Sequence, residues 1–324
     1  MTAPSGQTVV RLATRGSQLA LVQADLVARL LESRSPGTRA ERVVVRTEGD
    51  RRSDEDLDRI GGQGVFVKEV QEAVLDGRAD VAVHSAKDLP PRTPDGLVLA
   101  AVPDRADPRD ALVGATLDTL APGALVATGS ARRRAQLANI RPDLGFVGLR
   151  GNMGTRIGRA ADGTVAAVVA AAAALDRLGW EDRIAERIPT VQCLPQAGQG
   201  ALALECREDD AACRALLSLV DERGAHRAVR AERAFSRALG AGCALPAGAL
   251  AQPVGGARDG VELEGMLASA DGRVVVRARL SGEDPEALGL AVAQRLVRER
   301  GASSLAGWEM LDLPEAVALG EASA

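Results

Sequence analysis

The sequence predicts a mixed α/β protein made of two strand-helix-strand units and closed by a smaller α+β domain. Three observations carry that prediction. Strand and helix signals alternate through the first two thirds of the chain. At 324 residues the chain is long enough for two or three separate cores. Past about residue 222 the alternation gives way to a helix, a hairpin and a closing helix.

Taken in order, Val9–Ala13 reads as a strand. Ser17 caps a helix in which Leu19, Val22, Leu26 and Leu30 recur at helical spacing, and Pro36-Gly37 stops it. Arg42–Thr47 reads as a strand, Phe66–Leu75 as an amphipathic helix ended by Gly77, and Ala79–His84 as a further strand. This order requires a parallel or mixed sheet with helices on both faces. Between Asp50 and Gly64, "DRRSDEDLDRIGGQG" joins dense charge to a glycine cluster and predicts a mobile surface loop. "PDRADP" at 103–108 predicts a crossing between domains. The second unit reads as strand Ala124–Thr128, a helix opening at Ser130, and strands Gly145–Leu149 and Val165–Val169. The last part reads as helix Ala225–Leu239, a hairpin over Val261–Leu280 turned by Asp271-Gly272, and helix Leu288–Arg300. No internal repeat of fixed period is present.

Composition narrows the function classes. Hydrophobic residues at 46% and charged residues at 26% are ordinary for a globular chain. Aromatic residues are only 2%, with no tyrosine, so the chain lacks the stacking platforms that single-stranded nucleic acids need. A net charge of -4 exerts no general pull on polyanions, and any anion site must be a local cluster of arginines. No segment is apolar for long enough to span a bilayer; the alanine-rich run Val165–Leu175 is too short. Residues 1–10 lack the pattern of a secretory signal. The four cysteines show no CxxC spacing and have only two histidines beside them, so no metal site is expected. The expectation is free thiols in a reducing cytoplasm.

Three kinds of residue could carry chemistry. Of 40 basic side chains only Lys68 and Lys87 are lysine, and Lys87 sits in "DVAVHSAKDLPP" beside Asp88. That pair follows a strand, where open α/β sheets place their ligands. A surface ion pair is the plain alternative, as a satisfied structural group is for His84. Two prolines fix the loop leaving the pair, and Asp88 there could protonate a leaving amine or stabilise a cation forming in front of it. Next, "TGSARRRAQL" places Arg132, Arg133 and Arg134 in the first turn of a helix capped by Ser130, where cations oppose the helix dipole unless an anion binds. Arg150 and Arg156 surround the glycine turn of "LRGNMGTR", and Arg15 and Ser17 open the first helix. Each cluster alone could be a solvated face; together, at strand-to-helix junctions of both units, they suggest a cleft for a substrate with many anionic groups. Finally, Cys243 lies among Gly240, Gly242 and Gly248, a setting suited to a covalent group, though a free cysteine can equally be inert core.

The stretches "RLATRGSQLALVQ", "GGQGVFVKE", "DVAVHSAKDLP", "GSARRRAQL", "LRGNMGTR", "LPQAGQGALALE" and "AERAFSRALGAGC" run from Arg11 to Cys243. Together they resemble the hydroxymethylbilane synthase, or porphobilinogen deaminase, family. The resemblance implies a transferase that joins four porphobilinogen molecules head to tail on a dipyrromethane cofactor and releases ammonia. It implies a thioether from that cofactor to Cys243, with Lys87, Ser130, Arg132 and Arg133 binding the cofactor. Asp88 maps onto the catalytic aspartate, and Arg15, Ser17, Arg150, Arg156 and Arg177 (in "LDRLG") onto the groups that bind substrate.

The implied fold is two type II periplasmic-binding-protein-like domains, residues 1–104 with 201–221 and residues 105–200, followed by an α+β domain, 222–324, that carries the cofactor cysteine. A cytoplasmic monomer with no nucleic-acid or membrane partner is the matching expectation. Two departures stand out: Gln63 replaces a usual lysine, and "LGAGCALPAG" replaces a more glycine-rich cysteine loop. Two rival classes stay open on the residues alone. One is a non-catalytic anion receptor of the same two-lobed fold, and the other an enzyme forming a Schiff base on Lys87.

Overall fold

The computed structural model describes residues 8–45, 67–240, 246–254, 260–302 and 305. The predicted loop at 50–64, with Gln63, lies outside them, as does Cys243. In chain order the elements begin with β1 (Thr8–Arg15), α1 (Gln18–Arg34), β2 (Thr38–Val45), α2 (Lys68–Leu75), β3 (Val81–Ser85) and β4 (Leu97–Ala101). They continue with β5 (Asp110–Val113), β6 (Leu125–Ala127), α3 (Ala131–Ile140), β7 (Gly145–Val147), α4 (Met153–Ala161), β8 (Ala167–Ala171), α5 (Ala172–Arg177) and β9 (Glu186–Ile188). Last come β10 (Leu202–Arg207), α6 (Ala211–Ser218), α7 (Arg223–Leu239), β11 (Ala247–Pro253), β12 (Val261–Ala268), β13 (Val275–Gly282) and α8 (Pro285–Gln294).

The chain divides into two compact units, Met1–Arg105 with Ala201–His226, and Ala106–Gly200 with Arg227–Ala324. In the first, a five-stranded sheet has the order β2-β1-β3-β10-β4. Strand β1 runs parallel to β2 and β3, whereas β10 is antiparallel to β3 and β4. One face buries Leu12, Val27, Leu31, Val83 and Leu204 beneath α1 and α6, and the other buries Ala13, Val70, Val74 and Ala82 beneath α2. The strand inserted between β3 and β4 arrives from much later in the chain, so this sheet is completed only when the chain returns at residue 202.

The second unit holds two sheets. Its five-stranded sheet repeats the pattern as β7-β6-β8-β5-β9, with β5 antiparallel to β8 and β9. Both sheets therefore have three parallel strands, then one antiparallel strand supplied by the segment that has just crossed over, then a last strand. This shared order gives the two five-stranded sheets one topology. The other sheet is a meander, β11-β12-β13, covered by α7 and α8 around Phe235, Leu263, Leu267, Val292 and Leu296. Gly289 makes that cover possible: a Cβ there would lie 2.5 Å from the carbonyl oxygen of Ala231, so only glycine lets α8 approach α7 so closely.

The structure moves several predicted boundaries. Strand β2 begins at Thr38 rather than Arg42, because it is an edge strand whose Arg39, Glu41 and Arg42 face water and hide the apolar signal. The alanine run splits into β8 and α5 at Ala171–Ala172; with every residue from Ala167 to Leu175 buried, no polar periodicity marks the change. Gly248, read as part of a loop around Cys243, belongs to β11. There a Cβ would lie 3.0 Å from the carbonyl oxygens of Leu194 and Pro195. The hairpin turned at Gly272 forms as predicted, with φ +77° at that residue. Among the described residues no helix is long and apolar enough to cross a membrane.

Candidate active site

In the first unit, β3 delivers Lys87 and Asp88 on a single 3-10 turn, Ala86–Asp88. Ser85 ends the strand and accepts a hydrogen bond from Gln23 Nε2 of α1 at 2.9 Å. The Ala86 N–H donates to Ala201 O at 3.0 Å, and the Leu89 N–H closes the turn on Ala86 O at 3.3 Å. Ala86 is 3% exposed and Leu89 4%, so the turn is anchored at both ends. Between these anchors Lys87 is half-buried and Asp88 is exposed. Asp88 is thus held in place by buried neighbours on either side while its carboxylate faces solvent.

Beneath the turn His84 is buried, its Nε2 3.3 Å from Glu205 Oε2. That oxygen also accepts from Gln71 Nε2 of α2 at 2.7 Å. His84 is therefore a structural group joining β3 to β10. Arg15 is the last residue of β1, and Ser17 caps α1 by accepting the Ala20 N–H at 3.3 Å. Ser17 does so because its backbone is extended while its Oγ reaches the first helical turn.

In the second unit Ser130 caps α3, its Oγ accepting the Arg133 N–H at 3.4 Å. The arginines behind it turn onto a residue that sequence reading did not single out. Asp110, fully buried at the start of β5, accepts from Arg132 Nη1 at 2.8 Å and from Arg133 Nε at 2.9 Å. Burial alone would raise the Asp110 pKa, but the charges of Arg132 and Arg133 and their hydrogen bonds outweigh it and hold the carboxyl well below the usual range. The anion that three arginines at a helix N-terminus require is thus partly built in. Arg132 is only 4% exposed, whereas Arg134 faces solvent. Even so, Arg132 Nε is buried with no acceptor among the described residues. Cys193 lies 3.3 Å from Asp110 Oδ2, and burial pushes its thiol up to about 12.

Arg150 is exposed just after β7. Gly151, with φ +94°, turns the chain so that Asn152 can cap α4 by accepting the Thr155 N–H at 3.0 Å. Arg156 on that helix donates from Nε to Gly151 O at 2.7 Å. Arg177 ends α5 and donates from Nη2 to Gly200 O at 2.7 Å. Burial lowers its pKa to about 10, and neighbouring Asp176 offsets only part of that. The structure thus gathers Ser130, Arg132 and Arg133 at one helix start, Arg150 and Arg156 at another, and Lys87 with Asp88 on one turn.

Sequence reasoning missed Asp110, the cap Asn152 and the Gln71–Glu205 pair. Only Asp110 left a signal, as a charged residue opening the apolar strand "DALV".

Comparison with known proteins agrees with this geometry. A family model described as "Porphobilinogen deaminase, dipyromethane cofactor binding domain" matches residues 10–215, and one described as "Porphobilinogen deaminase, C-terminal domain" matches residues 226–298. The porphobilinogen deaminase of Syntrophus aciditrophicus is 44% identical over 89% of this chain and 95% of its own. That of Brevibacillus brevis is 43% identical over 91% and 96%, and that of a Roseiflexus species 46% identical over 93% and 99%. Solved structures overlap more loosely. The VFT2 domain of Bordetella pertussis BvgS aligns with 65% of this chain and 86% of its own at 20% identity and a TM-score of 0.39. Matched over residues 10–215 and 226–298 by two models of one family, and over about nine tenths of its length by relatives of similar size, the chain belongs to the porphobilinogen deaminase family.

Proposed function

We propose that this chain is a transferase that joins four porphobilinogen molecules head to tail, releasing ammonia at each addition and finally linear hydroxymethylbilane. The observation that carries the reading is the anchored turn that offers the Asp88 carboxylate to solvent, within the stretch matched to the family's cofactor-binding domain.

The dipyrromethane cofactor is assigned to Cys243, through a thioether. The described residues suit such a group. Arg132 Nε is buried without an acceptor among the described residues, and Arg177 is a half-buried guanidinium whose described hydrogen bond goes to a carbonyl rather than a carboxylate. Neither the Arg132 Nε nor the Arg177 guanidinium has a carboxylate hydrogen-bonded to it among the described residues, and pyrrole acetate and propionate groups supply one. Lys87, Ser130, Arg132 and Arg133 would hold the cofactor; Arg15, Ser17, Arg150, Arg156 and Arg177 would receive substrate carboxylates. When bound, the cofactor supplies the pyrrole carbon to which the first substrate is joined.

Asp88 acts on the substrate. Its carboxylate accepts the pyrrole N–H and lies beside the positive charge left when the aminomethyl C–N bond breaks and ammonia departs with the bonding electrons. The same carboxylate can take up the proton lost when the new carbon–carbon bond is complete. Lys87 brings a compact ammonium with three donors, which fits beside Asp88 where a rigid guanidinium fork would not.

The reading includes three domains, 1–104 with 201–221, 105–200 and 222–324, one for each sheet, and a monomer working in the cytoplasm without nucleic-acid or membrane partners. Its test is direct: purified protein is given porphobilinogen while ammonia and hydroxymethylbilane are followed. The expected result is four ammonia per product; folded protein that binds porphobilinogen and releases no ammonia would instead favour a receptor.

A further inference from the structure

We propose that Asp110 is a positioning residue for this reaction: it meets neither substrate nor cofactor, but fixes the Arg132 and Arg133 guanidiniums that do. The inference rests on the function proposed above.

The carboxylate is fully buried and its two oxygens are divided evenly. Oδ1 accepts from Arg133 Nε and from Gln199 Nε2, both at 2.9 Å. Oδ2 accepts from Arg132 Nη1 at 2.8 Å and from the Cys193 thiol at 3.3 Å. Each oxygen serves one arginine and one neutral donor, which leaves no capacity for a ligand. The arginines are fixed at second points as well: Arg133 Nη1 donates to Val169 O at 3.1 Å, and Arg132 Nη1 to Leu194 O at 2.6 Å. Two long side chains at a helix N-terminus, where the dipole repels them, are thereby each held by a carboxylate and a carbonyl.

The supports come from separate elements. Asp110 opens β5, Val169 lies in β8, and Leu194 and Gln199 lie between β9 and β10. Gln136 of α3 strengthens the Leu194 side, donating to Leu194 O at 3.0 Å and accepting its N–H at 2.8 Å. What is left over is directional, since Arg132 Nε remains without an acceptor among the described residues. A carboxylate bound there would meet donors already oriented, so binding would lose little side-chain freedom.

The test compares wild type, Asp110→Asn and Asp110→Glu. Intact mass gives the fraction of chains carrying the two-pyrrole group, and steady-state kinetics on the loaded fraction gives KM and kcat for porphobilinogen. Positioning predicts that Asp110→Asn loads a smaller fraction. In that fraction kcat falls about tenfold or more while KM changes less, because the cofactor carboxylates held by Arg132 and Arg133 are what has been displaced. A lower melting temperature with wild-type loading and wild-type kcat would overturn the proposal. If Asp110→Asn is recovered only unfolded, Asp110→Glu decides by the same readings, because it keeps the charge and displaces the oxygens. A lowered kcat in the loaded fraction supports positioning and a wild-type kcat refutes it. Failure of both variants to fold would make Asp110 a folding determinant alone, which also refutes it. A wild type without the two-pyrrole mass and without turnover would be a failure of the family function itself, and is recognised by that.

Discussion

The two five-stranded sheets share one strand order and treat charge in opposite ways. The antiparallel strand of the first opens with Leu202, opposite Ser85; that of the second opens with Asp110, opposite Ala171. The first helix of each is capped by serine, Ser17 or Ser130, but Leu19 and Ala20 follow in one case and Arg132 and Arg133 in the other. The strand-end tie in the first sheet is the neutral Gln23–Ser85 hydrogen bond; in the second it is a buried carboxylate between two guanidiniums. One topology thus supports two kinds of site. Buried apolar neighbours hold the exposed Asp88 in one, and a buried carboxylate holds Arg132 and Arg133 in the other.

One chemical change applied to both regions separates them. Asp88→Asn should lower turnover by roughly 10²–10⁴-fold, the usual range for removing a proton-transferring group. The cofactor should stay attached, and stability should change by less than about 0.5 kcal/mol because the residue is exposed. Substantial retained activity would remove Asp88 from its role. Asp110→Asn should instead destabilise the chain by about 3–5 kcal/mol in urea unfolding, the range for breaking a buried ion pair. A loss below about 1 kcal/mol would show the cluster to be dispensable for the fold.

Acid sharpens the contrast. Asp110, Asp107 and Asp80 are all held below the ordinary carboxylate range: burial opposes this, and their arginine partners prevail. The folded state therefore binds fewer protons than the unfolded chain at low pH. The stability these groups contribute is complete above the unfolded pKa and is lost as pH falls below about 4. Asp110→Asn should flatten that acid limb. Unfolding midpoints measured from neutral pH downward check this. The smallest effect is expected from Arg11→Met. Its pair with Asp80 is partly exposed, with Arg11 at 40% and Asp80 at 19%, so its loss should cost less than about 1 kcal/mol.

Local signals were legible in the sequence and long-range ones were not. Ser17 and Ser130 were readable as caps because capping involves only the next few residues, and Gly272 because a tight hairpin needs a positive φ. The Lys87–Asp88 turn could be placed at a strand end, but not the buried Ala86 and Leu89 that anchor it, since their burial depends on β10, which arrives from residue 202. Asp110 escaped notice for the same reason: its arginines lie 22 and 23 residues away and only the sheet brings them together. The split of the alanine run had no periodicity to mark it. Cys243 rests on its motif alone.

The most direct measurement is therefore the intact mass of the denatured, purified protein beside its Cys243→Ser variant, each after incubation with porphobilinogen. The expected result is a mass excess of two linked pyrrole units in the wild type and none in the variant. A wild type at the bare chain mass after that incubation, or a variant that keeps the excess, would contradict a cofactor carried on Cys243.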